Sequence, residues 1–164
     1  MATYNPADWG SFLVAMVSAA AALTGLLFVA VSINLQNIVK GAWLTARAAE
    51  TLAGLLLVVV SCALALVPQN ARLIGTEILI LALPMLIVTV RLQVRHRRAS
   101  PDQPLLWSVS RMTASAAGTV TGSIAGLSLI AEWGGGLYWL AAAALLGIVG
   151  AVYNAWVLLV EIIR

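Results

Sequence analysis

Ionisable side chains within apolar stretches are the places where this sequence could do chemistry, and there are few of them. Arg47 and Glu50 stand three residues apart, one helical turn, which sets opposite charges on one face where they can pair. Glu77 follows Arg72 closely enough to pair with it or to snorkel to water, so the two are candidates for a polar outer mouth. Carboxylates deep in a membrane serve proton relays and ion paths. Both Glu50 and Glu77 are expected near span ends rather than at the mid-plane, which argues against a relay through this chain. Asn34 and Asn154 are neutral and can hydrogen-bond across helices.

Other reaction chemistries lack their residues. His96 and Cys62 are the only histidine and cysteine, so no clustered zinc site and no internal disulfide are available. His96 is expected in a solvated loop beside arginines. No GxGxxG, Walker loop, HExxH or GxSxG occurs. The expectation is a protein that is not an enzyme and holds no cofactor or metal.

Two further groupings stand out. Ala114, Gly118, Gly122 and Gly126 recur every four residues, and Gly147 belongs to a similar stripe of Ala and Gly further along. Small residues let helix backbones approach closely in lipid, which supplies no hydrophobic drive between helices. This face is expected either to pack within the chain or to bind another copy. Arg91, Arg95, Arg97 and Arg98 form a basic cluster, a candidate contact for anionic lipid headgroups or an acidic partner.

The elements that position these residues follow from composition. The 164 residues are 62% hydrophobic and 9% charged, with mean hydropathy +1.02. Soluble domains average about 45–50% apolar and about 25% charged, so lipid must be the solvent for most of this chain. Five apolar stretches, at about 10–35, 46–67, 73–90, 107–131 and 137–163, each approach the roughly 20 residues needed to cross a hydrocarbon core. Asn5 and Pro6 read as the N-cap and first residue of the first span. Pro68 breaks the second from the third, Pro84 is expected to kink the third, and Gly134, Gly135 and Gly136 form a flexible link before the last. Residues 36–44 read as a short amphipathic connector and 91–106 as cytoplasmic, with Arg91, Arg95 and Arg98 spaced i, i+4, i+7 on one helical face at the end of the third span.

Charge then orients the chain. Along a five-pass path one side collects Lys40, Arg47, Arg91, Arg95, Arg97, Arg98, Arg111 and Arg164, and the other only Arg72. Basic residues favour the cytoplasmic side. The fold expected is an all-α integral membrane protein, a five-span helix bundle forming one domain over residues 1–164, N-terminus out and C-terminus in. The near absence of lysine, with abundant Ala, Gly and Val, points to a GC-rich bacterial genome and hence the inner membrane. The net charge of +3 belongs to topology and not to nucleic acid.

The function expected is a small non-catalytic subunit or modulator of a membrane complex, self-associating through the small-residue face. A homo-oligomeric channel or small transporter is the alternative. Expected partners are the bilayer, further copies or other membrane subunits, and anionic headgroups.

Overall fold

The computed structural model describes the backbone of residues 2–40, 42–99 and 105–163, and the side chains of 3–36, 38, 44–91, 94 and 116–156. All its elements are helical. Two 3-10 turns, Ala2–Tyr4 and Pro6–Trp9, precede α1 (Gly10–Ile33), α2 (Leu35–Lys40), α3 (Ala42–Leu66), α4 (Ala71–Ala99), α5 (Leu105–Ala131) and α6 (Leu137–Ile163). The Asn5 side chain caps the second 3-10 turn, with Oδ1 accepting from the Ala7 amide at 3.3 Å, so the cap acts one short element before the first long helix.

Four helices are long and apolar enough to cross a membrane: residues 6–33, 44–66, 71–91 and 137–156. In α5 the described apolar stretch is shorter, Ala116–Ala131. The protein is thus a membrane-embedded all-α bundle. α3, α4, α5 and α6 close into a ring in which α4 and α6 flank α5, and α1 lies against the back of α3. Leu13, Ala20 and Leu27, spaced by seven, are the buried residues of α1. That seam is as narrow as a coiled-coil stripe. Val14, Leu26, Phe28, Val29 and Ile33 remain exposed, an arrangement suited to lipid contact.

Element bounds differ from the sequence reading in two places. Asn34 ends α1, and the next residues form the short helix α2, whose Ile38 is buried and whose Ile38 carbonyl accepts from Thr45 Oγ1 at 3.0 Å. α4 runs through Pro84 and on to Ala99, past the expected end of the span, so Arg91, Arg95 and Arg98 belong to a helix as their spacing suggested, and His96 lies in that helix rather than in a loop. Its 29 residues span about 44 Å, more than a hydrocarbon core, and Leu, Gln and Arg are good helix formers that carry it onward. The 132–136 connection falls where the sequence reading placed it, and it is hydrogen-bonded to its surroundings. Glu132, Gly134, Gly135 and Gly136 have φ of 51°, 84°, 119° and 47°. The Ser128 hydroxyl donates to the Trp133 carbonyl and accepts from the Gly136 amide at 2.9 Å, while the Gly135 amide donates to the Tyr4 hydroxyl at 3.3 Å. Three glycines therefore serve a fixed left-handed turn that only they adopt without strain.

Candidate functional site

The small-residue face of α5 meets helices of its own chain. A methyl added at Gly118 would lie 3.1 Å from the Cα of Gly147 on α6, and one added at Gly126 would lie 2.9 Å from the Gly75 carbonyl on α4. Gly122 is looser, with Ala82 and Ala143 Cβ atoms at 3.7 and 3.9 Å. Gly147 also receives Val58 from α3. These glycines bring α4, α5 and α6 together closely, so the face expected to be internal or intermolecular is filled here from within. The side chain of Ala114 lies outside the described residues. Gly75, the partner of Gly126, went unremarked in the sequence: with Ala71 it makes only one small-residue pair at a spacing of four, not a repeat.

Where the same residues do not touch, they leave a cavity. A partly open, mostly apolar cavity of about 50 Å³ lies between α3, α4, α5 and α6, with Leu57, Ile78, Met85 and Leu140 among its apolar lining. Its wall includes Glu50, Gly54 and Ser61 of α3, Ala82 of α4, Thr119 of α5 and Asn154 of α6. Glu50 is eight residues past the start of α3, about 12 Å along its axis. A helix-interior glycine weakens a helix relative to alanine, yet at Gly54 an added methyl would meet nothing within 4 Å.

Polar groups cluster at the cavity's end farther from the N-terminus. Arg47 is 6% exposed and Asn154 5%, and Arg47 Nη2 donates to Asn154 Oδ1 at 2.8 Å, tying α3 to α6. A charged donor buried this deeply requires such an acceptor. Thr51 Oγ1 donates to the Arg47 carbonyl at 2.8 Å, and Thr119 Oγ1 to that of Ala116 at 3.0 Å. Asn154 was recognisable in the sequence as a cross-helix bonder; its partner, 107 residues away, was not. Gly54 gave no signal at all.

The remaining candidates lie away from the cavity. Arg72 pairs with Glu132 at 2.9 Å rather than with Glu77, and Glu77 Oε2 accepts from Gln69 Nε2 at 2.7 Å over the α3–α4 turn. The two therefore form no joint mouth. The Arg72–Glu132 side chains are 69% and 48% exposed, and such surface pairs contribute little stability. Arg91 is exposed on α4, and the side chains of Arg95, Arg97 and Arg98 lie outside the described residues. Among the described residues no three His, Cys, Asp or Glu side chains converge as metal ligands. Comparison with known protein families, with curated proteins and with solved structures found no match.

Proposed function

We propose that this is a non-catalytic multi-pass protein of the bacterial inner membrane that holds or passes a small solute through its central cavity. One observation carries the reading: a partly open, mostly apolar space inside the helix ring, with Glu50 on its wall and the Arg47–Asn154 bond beside its Asn154 wall. Ionisable residues within membrane helices are functional by default, because they are costly to place there. α5 joins the far end of α4 to the near end of α6, and its 27 residues reach about 40 Å, so it makes the fifth crossing. The basic residues then set the N-terminus outside and the C-terminus in the cytoplasm.

Reconstitution tests this directly. Vesicles containing the protein, challenged with water, formamide and potassium gradients, should become more permeable than protein-free vesicles to at least one of the three. Gly54→Leu, which fills the cavity, should return that permeability to baseline. Wild-type vesicles that match protein-free ones for all three would overturn the reading.

A second reading, a self-associating subunit or modulator of a membrane complex, draws on the exposed apolar face of α1, which can meet another chain as readily as lipid. Native mass spectrometry from mild detergent should then return an oligomer or a partner chain, and monomer alone would eliminate it. Anionic headgroups are a proposed contact for Arg91, Arg95, Arg97 and Arg98. Equal binding of the protein to neutral and anionic lipid would exclude that contact.

A further inference from the structure

The wall of the cavity suits a hydrocarbon guest. Most of it is apolar, with Leu57, Ile78, Met85 and Leu140 set among glycines and alanines. Four of its polar members are engaged already. Thr51 and Thr119 donate to carbonyls of their own helices, Asn154 accepts from Arg47, and Glu50 is likewise engaged. A carbon-lined void that stays empty forfeits dispersion contacts, and water does not readily fill one.

The cavity can also be reached from the side. Among the described residues, α3 and α4 are the least closely packed neighbours of the ring. Glu50, Gly54 and Leu57 on α3 and Met85 on α4 are half-buried lining residues, and they belong to the two helices of that seam. The other half-buried lining residues, Gly118 and Gly147, close on each other: a methyl added to the first would lie 3.1 Å from the Cα of the second. Gly54 and Leu57 lie within two residues of the middle of the apolar stretch 44–66, and Met85 one turn past the middle of 71–91. The seam therefore faces the inner part of the hydrocarbon core, where acyl chains end.

We propose that the cavity receives the end of a membrane lipid's acyl chain through the α3–α4 seam, with Gly54 as the threshold. Packing demands glycine at positions 75 and 126, where backbones would collide with a methyl group. It makes no such demand at Gly54, where an added methyl meets nothing within 4 Å. Size suits a chain end. The space of about 50 Å³ is well below the roughly 150 Å³ of an engineered cavity that admits benzene, so a few carbons fit and a head group does not. Chain entry needs no solute path, and a seated chain and a solute would exclude one another.

The test is a search for lipid-to-protein NOEs in nanodiscs, with the full chain deuterated except at alanine methyls and the acyl chains protonated. Ala82 and Ala143 are buried and line the cavity, so a chain reaches their methyls only from inside it. Both should show NOEs to acyl-chain protons. Ala20 and Ala125, buried away from the cavity, should show none, and Ala22, exposed on α1, should show them throughout. Gly54→Leu should remove the Ala82 and Ala143 signals. Wild type in nanodiscs of lipids with methyl-branched chains, too thick for the cavity, should lose the same two signals even if Gly54→Leu does not fold. Three results would overturn the proposal: no chain NOE at Ala82 or Ala143 while Ala22 shows one, equal NOEs at Ala20 and Ala125, or cavity signals that persist with branched chains or in a folded Gly54→Leu variant. Vesicle permeability without chain NOEs would leave the solute path standing and remove only the chain.

Discussion

Glycine does two different jobs in this chain, and alanine substitution separates them. At Gly75 an added methyl would stand 2.7 Å from the Gly126 carbonyl, and at Gly126 it would stand 2.9 Å from that of Gly75. Overpacking of this kind typically costs about 1–3 kcal/mol, so Gly75→Ala and Gly126→Ala should lower the midpoint of thermal unfolding in detergent. Gly54→Ala meets open space and should raise the midpoint, by the roughly 0.5–1 kcal/mol that alanine gains over glycine in a helix interior. Equal shifts at Gly54 and Gly126 would undo the distinction. Asn154→Leu removes the acceptor of a buried guanidinium, and should destabilise by about 1.5–3 kcal/mol in the same assay. The sequence exposed part of this. The Gly118, Gly122 and Gly126 spacing was legible because it repeats on one helix. Gly75 and the Arg47–Asn154 match depend on which helices become neighbours, and no local pattern encodes that.

The helices themselves were legible, because apolar runs of membrane length leave the chain little choice. α6 begins at Leu137 as the sequence suggested, since the three glycines before it and the apolar run after it mark the boundary. The end of α4 was legible only in part, through the helical spacing of Arg91, Arg95 and Arg98. Hydropathy falls at Arg91, but helix propensity does not, and the backbone stays helical to Ala99. The position of the 132–136 connection was legible, but the bonds that hold it were not. Consecutive glycines are permissive, and what fixes them here comes from elsewhere: Ser128 on α5 and Tyr4 near the N-terminus. Ser128→Ala deletes both hydroxyl bonds to the connection. Amide exchange at Gly136 should then speed up by about tenfold or more, since a net hydrogen bond is worth about 1 kcal/mol and 1.4 kcal/mol is tenfold. Unchanged exchange there would mean that the turn is held by its backbone alone. Gly136→Ala adds a second check. Its methyl would fall 2.5 Å from the Thr3 carbonyl, so it should displace the N-terminal 3-10 turn and lower the unfolding midpoint.

At the scale of the whole molecule, lipid and charge do most of the work. A surface that keeps Leu26, Phe28, Ile33, Ile80 and Val149 exposed is costly in water and ordinary in a bilayer. The ring of α3 to α6 hides the residues that would be costly in lipid, Arg47, Thr51, Thr119 and Asn154 among them. In the proposed topology, the sides of the cavity's ends and a fifth crossing by α5 depend on an odd number of passes. The most direct measurement is thiol labelling in intact cells, in a Cys62→Ser background with one cysteine introduced at Thr3 or, separately, at Ile163. The account expects a membrane-impermeant maleimide to label the first variant from outside, and the second only after permeabilisation. Labelling of both from the same side would contradict it.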